Sequence, residues 1–175
     1  MKWIHLSIAL LLISMVIGFL YPHEETIFEQ SPLYQMLEPY REIYRPYELS
    51  TAIFLFFKNS YTLSIGFFLS PILIIPPMMI LILNGFIIGF IAGALPLDFT
   101  IKALAPHGIF ELSALVLAMA GGMNFGFSVI MKIFRKNYSI LKAFKDGVRL
   151  FLYALALIFI AAIIETYVTP FILGL

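Results

Sequence analysis

The stretch PHGIFELSALVLAMAGGMN, residues 106–124, is apolar over almost its whole length, yet it opens with a histidine and a glutamate four residues apart, His107 and Glu111. At 3.6 residues per turn that spacing puts both side chains on one face of a helix. The apolar run behind them predicts a membrane helix, since about 20 such residues span the hydrocarbon layer. Ionisable groups at that depth are costly and face protein or water rather than lipid, which makes both residues functional candidates.

Working outward from this segment, the rest of the chain has the same character. Of its 175 residues 62% are hydrophobic and only 12% charged, against about 25% charged in soluble domains. Continuous apolar runs recur, which argues against the alternating pattern of a β-barrel. Five spanning helices are predicted, near 3–21, 49–69, 77–95, 107–132 and 149–168. The expected fold is an all-α, polytopic transmembrane bundle, a single membrane domain over 1–175. It divides into a first span (1–21), an outer amphipathic loop (22–50) and a core of four spans (51–175). The residues after the first span, PHEETIF, offer no small-residue cleavage site, so this span reads as a retained anchor rather than a signal peptide.

Basic residues set the expected orientation. With the N-terminus inside, Lys2, Lys132, Arg135, Lys136, Lys142, Lys145 and Arg149 fall on the inner side. Arg41, Arg45 and Lys102 fall outside. The expectation is therefore a multi-pass protein of the cell membrane, N-terminus inside and C-terminus outside. No cysteine is present, which excludes disulfides, thiolate ligands and cysteine nucleophiles. The net charge of +1 gives no reason to expect a nucleic-acid partner.

The segments between spans carry further structure. Leu33, Met36, Leu37, Tyr40, Ile43, Tyr44 and Tyr47 recur at spacings of three and four, an amphipathic stripe bent near Pro39 and Pro46. It reads as a helix lying in the outer interface or as a docking surface for a partner. Ile140, Leu141, Phe144 and Val148 predict a short basic helix on the inner leaflet, leading into the last span. SPILIIPP, residues 70–77, turns the chain, with Pro76 and Pro77 presetting the third helix. LPLDFTIKALAP, residues 95–106, is expected to be an apolar outer loop.

Small residues follow a period of four in two spans: Gly85, Gly89 and Gly93 in the third, and Ala114, Ala118, Gly122 and Gly126 in the fourth. Such ridges let helix backbones approach closely. The expectation is that the third and fourth helices pack on each other, with a homodimer face as the alternative.

Under the expected topology, several polar residues reach similar depth near the outer face. Lys58 and Asn59 come from the second span, His107 and Glu111 from the fourth and Glu165 from the fifth. Asn84 lies near the middle of the third. Unpaired burial is costly, so these groups should meet. Three readings stand open: a hydrogen-bonded, ion-paired lock that fixes helix register; a divalent metal site on His107, Glu111 and Glu165; and a polar cavity for transport, proton transfer or hydrolysis. There is no HExxH, no serine–histidine–aspartate set and no phosphate-binding glycine loop, so no nucleophile is identified and no catalysis is expected. No cofactor is expected beyond that metal.

The succession NSYTLSIGFF, LNGFIIGF, PHGIFELSALVLAMAGG and AAIIETYVTP resembles the stage II sporulation protein M family of integral membrane proteins, over roughly residues 50–171. The resemblance rests most on PHGIFELSA and AAIIETYVTP. It implies that Asn59, Asn84, Gly85, His107, Gly108, Glu111 and Glu165 are characteristic positions. It also implies a multi-helix membrane protein without an established catalytic activity. The family's founding member is an assembly factor that recruits peptidoglycan-degrading proteins. The expected function is accordingly a membrane scaffold, with the lipid bilayer around it and a second copy or another membrane or envelope protein as partner. The alternatives are a small transporter or channel component, or a metal-binding membrane enzyme.

Overall fold

A computed structural model describes residues 2–21, 43–134 and 138–175. Among the described residues there are five long helices and no strand: α1 (Lys2–Leu20), α2 (Leu49–Phe68), α3 (Ile75–Ala94), α4 (Leu97–Phe134) and α5 (Ile140–Ile163). A π-helical turn (Ile164–Val168) and a short α6 (Thr169–Leu173) complete the chain. Leu33, Met36, Leu37 and Tyr40 of the stripe lie outside the described residues, as do Arg41, Arg135 and Lys136.

α1, α3, α4 and the continuous run Ile140–Leu173 are long and apolar enough to cross a membrane. α2 has 20 residues, a spanning length, but carries Lys58, Asn59, Ser60, Thr62 and Ser64 through its middle. That polar waist lowers its hydropathy below that of the other four helices. It also marks α2 as a helix that needs protein against one side.

The expected loop at 95–106 is not a loop. Leu97 to Phe134 is one helix with Pro106 inside it. A proline is expected to end or kink a helix because it cannot donate to the carbonyl four residues back, here Lys102. The flanking sequence, LDFTIKALA before it and HGIFELSALVLA after it, is rich in good helix formers and continues through it. Thirty-eight residues make a helix of roughly 57 Å, well beyond the roughly 30 Å hydrocarbon layer. The inner amphipathic helix is likewise not separate: α5 starts at Ile140, capped by the Ser139 hydroxyl accepting from Lys142 N–H, and runs on into the last span.

Pairing of helices follows the small residues, but not as the sequence suggested. α1 packs chiefly on α3, and α4 on α5. A Cβ at Gly85 would collide with Ser14, and one at Gly89 with the Met15 carbonyl. The third-helix ridge therefore receives α1, not α4. Gly122 and Gly126 of α4 instead lie against Gly66, Phe67 and Ser70 at the end of α2. The reason is that a small-residue ridge specifies close approach but not the approaching helix. α1 brings its own matching stripe, Ser7, Leu11, Ser14 and Gly18, and that is the face it buries. Between the pairs, Leu63, Phe67, Leu81, Met119 and Met123 are fully or almost fully enclosed. The Phe67 and Phe151 rings lie 5.1 Å apart, joining α2 to α5.

Candidate functional site

His107 and Glu111 sit one turn apart on α4, just after Pro106. Glu165 comes from the π-helical turn at the end of α5. One imidazole nitrogen and one oxygen from each carboxylate lie within 4.8 Å of one another. His107 is buried and the two glutamates are half-buried. The structure thus gathers residues 54 positions apart in sequence, Glu111 and Glu165, around a single point.

Neighbouring helices hold this group. Asn59 of α2 donates its side-chain amide to the Glu111 carboxylate. The Thr169 hydroxyl of α6 lies 3.2 Å from His107 Nδ1 and orients the ring. Lys58 lies on the exposed side of α2, and its charge acts on His107, Glu111 and Glu165. Asn84 of α3 donates to the Ile80 carbonyl of its own helix at 2.8 Å. It still belongs to the neighbourhood, because a cavity of about 40 Å³ is lined by Asn84, Asn59, Thr62 and Glu111.

The π-helical turn explains the position of Glu165. Hydrogen bonding i to i+5 inserts an extra residue into the helix, and such turns recur at functional sites; Pro170, five residues after Glu165 and four after Thr166, has no N–H to give to either carbonyl. Both carbonyls accept from outside the helix. The Tyr44 hydroxyl donates to the Glu165 carbonyl at 2.9 Å, and the Tyr47 amide donates to the Thr166 carbonyl at 3.1 Å. The Tyr47 hydroxyl donates to the Leu175 carbonyl at 2.9 Å. Burial, and then the nearby Glu165 and Tyr47, hold the Tyr44 phenol above its ordinary value, so it stays a neutral donor.

Sequence reasoning missed Thr169, Tyr44 and Thr62. Thr169 stands four residues after Glu165, a spacing open to inspection, but a lone threonine beside Pro170 has no signal of its own. Tyr44 was legible only as part of an amphipathic stripe.

Comparison with known proteins agrees with this architecture. The family model for stage II sporulation protein M matches residues 7–170. The chain belongs to that family. It is therefore a membrane protein, and His107, Glu111 and Glu165 all fall inside the matched region. An uncharacterized protein of Methanocaldococcus jannaschii is 33% identical over 125 residues, covering 67% of this chain and 65% of that relative. A second uncharacterized protein of the same organism is 27% identical over 116 residues, covering 64% and 53%. The chain thus spans between about half and two thirds of the length of these relatives. No solved structure matches it.

Proposed function

We propose that this chain is a multi-pass assembly protein of the cell membrane, which holds another membrane or envelope protein in place without catalysing a reaction. The carrying observation is that Asn59, Glu111, His107 and Thr169 tie α2, α4 and α6 together at one level, while the cavity beside them measures only about 40 Å³. Since one water needs roughly 10–15 Å³, that space is of the order of a few water molecules. The arrangement supports a lock on helix register more than a conduit. The N-terminus lies inside, on the strength of the basic residues. The segment 22–50, acidic and tyrosine-rich, then faces outward as the docking element.

Two measurements test this. Purified protein in liposomes should conduct protons and monovalent cations no faster than protein-free liposomes. A photo-crosslinking residue at Tyr40 should give, in intact cells, an adduct of defined mass with a second copy or another envelope protein. Flux above background that Glu111→Gln abolishes, with folding intact, would replace this reading with a transporter.

A further inference from the structure

We propose that His107, Glu111 and Glu165 bind one first-row divalent cation of the Mn²⁺ or Zn²⁺ class. This goes beyond the assembly role and does not depend on it. The donor set is one imidazole nitrogen and two carboxylates, a mixture of borderline nitrogen and hard oxygen that suits such ions. Neither thiolate nor thioether is part of it, which disfavours Cu(I).

The geometry is close to what such an ion requires. Metal–nitrogen and metal–oxygen distances are about 2.0–2.2 Å, so donors around one ion stand roughly 3–4 Å apart. Here they already lie within 4.8 Å of one another. His107 and Glu111 have the i, i+4 spacing that puts two ligands on one helical face, and the π-helical turn brings in the third.

The surroundings have the form of an outer shell. A ligating histidine is commonly held through its other ring nitrogen, and ligating carboxylates are themselves hydrogen-bonded. Thr169 meets His107 at Nδ1, so Nε2 is the nitrogen assigned to the ion in this proposal, and Asn59 bonds Glu111. Glu111 also lines the cavity that it shares with Asn59, Thr62 and Asn84, which has room for water beside that ligand. Charge points the same way. With both carboxylates ionised, the group would carry negative charge in excess of Lys58, and buried charge is tolerated when it is paired or coordinates a metal. A shared proton is the competing way to neutralise it.

The test uses the full chain purified in detergent, stripped with a chelator and titrated with Mn²⁺ followed by electron paramagnetic resonance, and with Zn²⁺ against a chromophoric competitor. The expected result is saturation at one ion per chain, with an imidazole nitrogen coupling in the Mn²⁺ spectrum. Glu111→Gln and Glu165→Gln should each weaken binding by more than about tenfold. His107→Gln should remove the nitrogen coupling, and Glu48→Gln should bind like the parent. Should the variants fail to fold, the parent alone decides: its melting temperature should fall on chelation and recover with one equivalent of Mn²⁺. No saturable binding by the parent would overturn the proposal. So would saturation without nitrogen coupling, or binding that survives in a folded Glu111→Gln or Glu165→Gln variant.

Discussion

The Thr169 hydroxyl meets His107 Nδ1 at 3.2 Å across 62 residues of chain, and so fastens the C-terminal helix to α4 beside the paired glutamates. Replacing Thr169 by valine preserves the shape and removes only the bond. Side-chain hydrogen bonds between membrane helices average about 0.6 kcal/mol, with a maximum near 1.7. Thermal denaturation of Thr169→Val in detergent should therefore show a small loss of stability within that range. A variant as stable as the parent would mean that the contact does not hold the tail.

Asn59 should matter more, because its partner is a carboxylate. In Asn59→Leu, Glu111 loses a donor in an apolar setting, a loss of about 1–3 kcal/mol. Asn59→Asp is nearly the same size but sets a second carboxylate against Glu111, so it should be the less stable of the two variants at neutral pH. Comparing their melting temperatures in one detergent checks the order; the reverse order would show that Asn59 acts by packing alone.

Tyr44 gives a pH dependence with a definite sign. Its phenol is neutral and donates to the Glu165 carbonyl, and its folded-state value lies above the ordinary tyrosine value near 10. A group raised in this way stabilises the fold fully below its unfolded value, and loses that contribution as pH rises through the folded one. Tyr44→Phe should thus be less stable than the parent by about 1 kcal/mol at pH 8. The gap should narrow above pH ~10. Unfolding measured across that range checks it, and a gap that widens with pH would contradict the assignment.

Two glycines should respond in opposite ways. A methyl group at Gly89 would overlap the Met15 carbonyl of α1, so Gly89→Ala should destabilise by about 1–3 kcal/mol. A methyl group at Gly108 would meet nothing within 4 Å. Alanine is the better helix residue by about 0.8–1.0 kcal/mol, so Gly108→Ala should be neutral or stabilising. Melting curves of the two variants side by side are decisive. A damaging Gly108→Ala would mean that something outside this chain needs that space.

The sequence carried the helices and the meeting of His107, Glu111 and Glu165, for a physical reason. Apolar runs of spanning length have few alternatives in lipid, and costly side chains at matching depth have to find each other. It did not carry the continuity of α4, because the rule that proline ends helices is a tendency, and the turns on both sides of Pro106 favour helix. Nor did it carry the partner of the Gly85–Gly89 ridge. The complementary stripe on α1 is made of Ser7, Leu11, Ser14 and Gly18, and only two of its members are hydroxyl-bearing and one is glycine. Thr169 and Tyr44 were hidden because neutral polar groups produce no pattern until their partners are known.

The π-helical turn at Ile164–Val168 also has an angular consequence. One residue of α-helix corresponds to about 100° of rotation. Which side of the final segment confronts the imidazole is therefore fixed by counting residues through 164–168, whatever their chemistry. Deleting a single position there would swing the tail by more than a quarter revolution, a larger disturbance than any substitution at the same place, and would send a different side chain toward α4.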